Sequence, residues 1–135
     1  MPHERFRVEV LTPEGEAFND EVEMISTRTS TGSIGVLAHH QPLLAMLEPS
    51  ELRLYRSDSE VVRFAQAEGY MQVAANRALL LVEEAYPPSE LDRGELQERL
   101  RQAENELKSA GDDTERRRVA QRDKRRWEQF LRIVE

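Results

Sequence analysis

At Tyr86-Pro87-Pro88 the apolar period of this chain switches from two to about 3.6, which restricts it to a strand-built body followed by helices. Before the switch, Phe6, Val8 and Val10 alternate with Arg7 and Glu9, and Leu52 and Leu54 with Arg53 and Tyr55. Val22, Met24 and Ser26 fall opposite Glu23, Ile25 and Thr27, while Val62 and Phe64 alternate with Val61, Arg63 and Ala65. Met71 and Val73 follow Gly69, and Leu79 to Val82 is almost unbroken apolar. Turn chemistry separates these runs at Thr12-Pro13-Glu14-Gly15, Asn19-Asp20, Glu48-Pro49-Ser50, Ser57-Asp58-Ser59 and Asn76-Arg77. Short strands with turns about every 8–12 residues predict an antiparallel sandwich or barrel over residues 1–86. Pro42 to Leu47 fits either a loop or a short strand. Between Thr31 and Leu43, Gly32 and Gly35 are expected to supply backbone freedom where the chain reverses, and Pro42 to fix a bend.

Beyond the two prolines, which end the last strand, residues 87–135 predict two helices. Ser89 is placed to cap the first, with Asp92 three residues on. Leu96, Leu100, Ala103, Leu107 and Ala110 then form one apolar stripe, flanked by the i,i+4 pairs Glu95–Arg99 and Glu104–Lys108. Gly111 stops this helix, and Asp112 or Asp113 caps the next, whose stripe is Ala120, Trp127, Phe130 and Val134 with Leu131 beside it. The short connection makes the helices antiparallel. Both stripes are narrow, so the hairpin needs a surface to lie on, and two such surfaces of similar affinity would make it a movable arm.

Charge is unevenly placed. Residues 1–86 carry seven cations against fourteen anions, while residues 112–135 carry eight against six. An acidic body argues against nucleic acid as partner. With no cysteine, disulfides and thiolate metal sites are excluded. No apolar run approaches the roughly 20 residues that span a bilayer, and Met1 to Arg5 lacks the apolar core of a signal peptide. The expectation is a cytoplasmic chain that meets a membrane only through other proteins.

His39-His40, with His3, invites a metal reading. Adjacent strand residues point to opposite faces, however, and no acidic cluster completes a ligand set, so no metal is expected. There is no Gly-x-Ser-x-Gly elbow and no phosphate-binding loop, so the chain is not expected to be an enzyme. Arg116, Arg117, Arg118, Arg122, Lys124, Arg125 and Arg126 form the densest positive cluster. It reads either as a solvated face balanced by Asp112, Asp113, Glu115, Asp123 and Glu128 or as a patch for an acidic protein surface.

Thr31-Gly32-Ser33-Ile34-Gly35 followed by His40-Gln41-Pro42-Leu43 resembles the Gly-x-x-Gly-Ile and His-x-Pro-Leu segment of the epsilon subunit of the F-type ATP synthase. Phe6 to Gly15 resembles the first strand and turn of that family. Glu68-Gly69-Tyr70-Met71-Gln72-Val73 and Val82-Glu83-Glu84-Ala85 are similar to two further family segments, with Glu68-Gly69 standing for a Gly-Gly pair. The resemblance implies a flattened antiparallel β-sandwich followed by an antiparallel two-helix hairpin. It implies a central-stalk rotor subunit that couples proton flow through the c-ring to ATP synthesis and restrains ATP hydrolysis through the hairpin. The implied partners are the gamma subunit, the c-ring, and the catalytic alpha and beta subunits, at the cytoplasmic face of the bacterial plasma membrane.

By the same resemblance, Thr31, Gly32 and Ser33 lie in the loop nearest the c-ring with His40 close by. Arg116, Arg117, Arg118, Arg122, Arg125 and Arg126 would face an acidic segment of beta. Some members bind ATP through a Leu-Asp-x-x-Arg-Ala motif. Here Leu91 and Asp92 match, but Glu95 and Leu96 replace the arginine and alanine, and Arg93 points elsewhere on the helix. Nucleotide binding is therefore expected to be weak or absent. The competing reading is a free-standing sandwich adaptor whose basic arm binds an acidic protein or nucleic acid, with an acid–base or metal-dependent hydrolase as the foil.

Overall fold

The computed structural model describes residues 3–134. The chain divides into two compact units, Met1–Pro87 and Pro88–Glu135. Among the described residues of the first unit there are ten strands: β1 (Phe6–Thr12), β2 (Gly15–Val22), β3 (Met24–Thr29), β4 (Gly32–Leu37), β5 (Leu43–Leu47), β6 (Ser50–Tyr55), β7 (Val61–Gln66), β8 (Gly69–Ala74), β9 (Arg77–Val82) and β10 (Ala85–Tyr86). Pro42 to Leu47, open in sequence, is thus mostly strand.

The strands form one continuous sheet in the order β10-β7-β6-β3-β5-β8-β9-β1-β2, with β4 on β3. The sheet turns at β3. Met24, Ile25 and Ser26 pair with β6, whereas Thr29 pairs with Leu47 of β5. The ends of the path therefore close over one core: Phe18 of β2 meets Phe64 of β7 edge-to-face, with ring centroids 6.4 Å apart. Val8, Val10, Val22, Ile25, Val36, Leu52, Leu54, Met71 and Leu80 are fully buried inside. This is the expected sandwich with one amendment: β1 pairs with β9 in parallel, Val10 beside Leu80.

Two sequence readings are corrected here. Asn19-Asp20 is not a turn but lies within β2, paired with Glu9 and Val8. Arg7 donates to Asn19 Oδ1 at 3.3 Å and Arg56 to Asp20 Oδ2 at 3.1 Å, so both turn-prone side chains find cross-strand partners. Gly35 is not at a reversal but mid-strand in β4. The positive-φ residues that bracket that strand are Gly32 (φ 131°) and His39 (φ 61°).

Gln66 holds the turning point. It is fully buried, accepts from Thr27 Oγ1 at 2.8 Å, and donates to Glu48 O at 2.9 Å. It thus bridges the gap where β3 passes from β6 to β5.

The second unit is a helical hairpin, α1 (Arg93–Ser109) and α2 (Thr114–Ile133), preceded by a 3₁₀ turn at Pro88–Glu90. Asp92, not Ser89, caps α1, accepting from Glu95 N at 3.0 Å. Asp113 caps α2 in the same way through Arg116 N. Gly111 (φ 57°) makes the tight link between them. Leu96, Ala103, Ala110, Ala120, Trp127, Phe130 and Val134 are buried, and Ile133, absent from the predicted stripe, joins them. Glu95–Arg99 pairs at 2.6 Å, whereas no Glu104–Lys108 pair forms.

Candidate docking face

β5, β8 and β9 carry apolar residues on both faces. Inward, Leu47, Met71, Val73, Leu80 and Val82 fill the core. Outward, the register aligns Met46 with Tyr70, Tyr70 with Leu81, and Leu81 with Leu11, a row across four strands. The next outward row runs Leu44, Gln72, Leu79, Glu9. Leu44 is 73% exposed, Met46 57%, Tyr70 52% and Leu81 47%. A contiguous apolar sheet face of this kind marks an interaction surface, because a solvated face of an antiparallel sheet is ordinarily polar.

Two of the elements singled out in sequence frame this face. Ser30 and Thr31 form the β3–β4 turn and Gly32 and Ser33 open β4; Thr29 Oγ1 donates to Gly32 O at 3.0 Å and Ser30 N to Met46 O at 3.0 Å. The turn therefore abuts the Met46 end of β5. His40 lies at the other end of β4, before Leu43, and its Nδ1 donates to Gln41 O at 2.7 Å. At about 3.3 Å per residue, the six residues of β4 separate the turn from the His40 corner by roughly 20 Å. The structure does not bring His40 beside Thr31, as the resemblance implied; it sets the apolar face between them.

His39 and His40 do not sit on a strand, so the opposite-faces argument does not apply to them. His39 Nε2 instead meets Glu4 Oε2 at 2.8 Å, and its backbone N donates to Asn76 Oδ1. Among the described residues, no group of three or more His, Asp or Glu side chains converges as a metal site.

The arginines of α2 divide into separate roles. Arg116 crosses to Glu106 at 2.8 Å. Arg117 donates to Gly111 O at 3.4 Å. Arg118 pairs with Glu115 at 2.7 Å and Arg122 with Asp123 at 3.0 Å. Arg126 is a correction to the exposed-patch reading: it is 8% exposed, with its guanidinium over the Trp127 ring at 5.4 Å. What remains outward is a stripe of Arg118, Arg122, Arg125 and Arg132, spaced by four, three and seven residues along one helix face. Hydrogen bonding and charge from Arg118 hold Glu115 below the usual carboxylate range.

The nucleotide candidates do not converge. Leu91 N closes the 3₁₀ turn onto Pro88 O at 3.2 Å, and the Asp92 carboxylate is used by the helix cap. Arg93 reaches Val134 O at 3.4 Å.

The outer face itself was missed in sequence. Its signal was the apolar pair of runs Leu43-Leu44-Ala45-Met46-Leu47 and Leu79-Leu80-Leu81-Val82, too apolar for strands with one wet face.

The fold defines a β-sandwich module, with an outward apolar row, followed along the chain by a helical hairpin. Residues 5–88 match the family model described as the ATP synthase, Delta/Epsilon chain, beta-sandwich domain. The chain belongs to that family. An ATP synthase epsilon chain of Caldicellulosiruptor bescii is 38% identical over 117 residues, covering 85% of each chain. One of Sulfurihydrogenibium sp. is 28% identical over 129 residues, covering 96% of each. A chain in the cryo-EM structure of the Euglena gracilis mitochondrial ATP synthase OSCP/F1/c-ring assembly shares the fold, with a TM-score of 0.77 at 21% identity. That match covers 92% of this chain and 78% of the other. Among the described residues, no helix is long and apolar enough to cross a membrane.

Proposed function

We propose that this chain is the central-stalk rotor subunit of a proton-translocating F-type ATP synthase, non-catalytic itself, and peripheral at the cytoplasmic face of a bacterial plasma membrane. The single observation carrying this reading is the outward Met46-Tyr70-Leu81-Leu11 row on a domain of the delta/epsilon family. An apolar face of that kind suits a permanent seat rather than a passing encounter.

The sandwich, residues 1–86, seats the gamma subunit on this face. Thr31, Gly32 and Ser33 at its Met46 end reach the c-ring, and His40 bounds its far end. The hairpin, residues 87–135, is the regulatory element. Its Arg118, Arg122 and Arg125 stripe meets an acidic surface of beta beside alpha, while Arg116, Arg117 and Arg126 act within the hairpin. Exposed arginines contribute modestly and are screened by salt, so the restraint on hydrolysis weakens as ionic strength rises. No cofactor takes part, and nucleic acid is not a partner. The adaptor alternative loses ground because residues 5–88 match the delta/epsilon family model and the relatives named above are ATP synthase epsilon chains.

Co-purification tests the seat: Met46→Glu with Leu81→Glu releases the chain from a gamma-type subunit while its unfolding midpoint stays near that of the parent. Deleting residues 88–135 retains assembly and raises ATP hydrolysis. Retention of the doubly charged sandwich on gamma would refute the docking face; unchanged hydrolysis after the deletion would refute the inhibitory arm.

A further inference from the structure

We propose that Met46 is an oxidation site: in the chain not yet seated, its thioether takes an oxygen atom from a peroxide, and the sulfoxide so formed keeps the outward row from docking. The inference rests on the gamma seat argued above and adds a chemical control over when that seat can be filled.

The fold treats Met24, Met46 and Met71 differently. Met46 stands 57% exposed, whereas Met71 is fully buried. The two lie on neighbouring strands and only one rung apart, since Met71 pairs with Ala45 and Met46 with Tyr70. Strand residues alternate between faces, so that single rung puts one sulfur in solvent and the other in the core. Met24 is half-buried, with its Sδ 3.9 Å from where a Cβ on Gly35 would stand. A peroxide in solution therefore meets Met46 first. The backbone of Met46 is meanwhile held on both sides: β5 pairs with β8, and Met46 O accepts from Ser30 N at 3.0 Å. A change at the tip of this side chain leaves the strand in place.

The chemistry needs hydrogen peroxide as its only co-reactant. A sulfur lone pair attacks one peroxide oxygen, so that an S–O bond forms while the O–O bond breaks. Sulfur loses two electrons, and the proton of the transferred oxygen passes to the departing one, which leaves as water. The thioether becomes a polar, chiral sulfoxide. It stands in the row formed with Tyr70, Leu81 and Leu11, and Leu44, 73% exposed, lies two residues before it on the same face. An apolar partner surface closing over that row would bury a strong acceptor with no donor of its own to offer. A flexible apolar side chain that adapts to its partner is lost at the same time. Once the row is covered the thioether is out of reach, so the reaction is confined to the unassembled chain. Methionine sulfoxide reductases reverse it, which makes the block temporary.

The test adds hydrogen peroxide to the full chain and locates the new oxygen by peptide mass spectrometry. Met46 is expected to oxidise before Met24 and well before Met71, with the unfolding midpoint unmoved. The Met46 sulfoxide should bind a gamma-type subunit roughly ten- to a hundredfold more weakly, the loss of one buried methionine side chain. Methionine sulfoxide reductase should return the affinity. Met46→Leu, whatever its own affinity, should no longer respond to peroxide. Oxidation of Met46 no faster than Met71, undiminished binding by the sulfoxide, or an equal peroxide response in Met46→Leu would each overturn the proposal. Peroxide is then added to the chain already bound to gamma, where Met46 should react more slowly than in the free chain. Equal rates would refute the docking face itself, an outcome distinct from the order of oxidation, which is read in the isolated chain.

Discussion

Gly69 sits where a side chain has no room. A Cβ built there would lie 2.0 Å from Leu81 O and 2.7 Å from Val82 Cα, both backbone, where ordinary contact begins at 3.4 Å. The requirement is one of space, since Gly69 is not among the residues with positive φ. Gly69→Ala must therefore push β8 from β9 by about 1.4 Å at that rung. The displaced pairing is Gly69 with Val82, and the bond from Glu83 N to Glu68 O at 3.1 Å lies next to it. Losing two backbone bonds costs about 1 kcal/mol each, and the overpacking adds about 1–3 kcal/mol. The expected loss is about 3–5 kcal/mol. With a urea slope of roughly 1–1.5 kcal/mol per molar for a domain of this size, the midpoint falls by roughly 2–5 M. Gly35→Ala is the control: its nearest atoms stand 3.9 Å away, so the substitution stays within about 1 kcal/mol. Because Tyr70 follows Gly69, hydrogen exchange should show the outer row opening first in the variant. A loss below about 1 kcal/mol for Gly69→Ala would show that the two strands part freely there, and the reasoning would fail.

Gln66→Leu keeps volume but strands Thr27 Oγ1 and leaves Glu48 O to the Ser50 hydroxyl at 3.2 Å, and should cost about 1–3 kcal/mol by chemical denaturation. Adding Thr27→Val should recover part of that loss, and strict additivity of the two would argue against a shared network. Burial raises the Glu51 pKa, but hydrogen bonds from Arg63 and Arg53 outweigh it and leave it below the usual glutamate range. Its contribution is therefore present above that range and disappears as pH falls through the lowered value, so Glu51→Gln should flatten the acid limb of a stability–pH curve; identical limbs would contradict this. Calorimetric titration of ATP into the isolated chain should show no micromolar binding, since Asp92 is committed to Glu95 N; a micromolar isotherm would reverse that reading.

The division at the two prolines, the strand-rich body and both helices were legible because period and turn chemistry are local properties. Helix caps were nearly so: Asp92 and Ser89 are both capable, and the choice was made by the 3₁₀ turn through Pro88, which carries Ser89 out of reach. Asn19-Asp20 misled because turn propensity ignores partners, and Arg7 in β1 and Arg56 just past β6 stand 12 and 36 residues away in sequence. The parallel pairing of β1 with β9 has no local signature at all. Among the candidate site residues, Thr31 lies in a turn while Gly32 and Ser33 open the strand after it, so their distance from His40 depends on the length of β4. The arginine cluster was legible as charge and not as geometry, since Arg116 is claimed by Glu106 on the other helix and Arg126 by Trp127. The outer apolar row emerges only when register lines up three distant segments.

The parallel partnership of the first strand with the ninth also has a consequence for birth on the ribosome. Phe6 to Thr12 emerges early and can fold back only on its hairpin mate, leaving its other flank bare until Arg77 to Val82 has been translated. Closure of the body is thus deferred almost to the end of its own synthesis, and a nascent chain arrested before that point exposes an unzipped, sticky margin that chaperones would recognise.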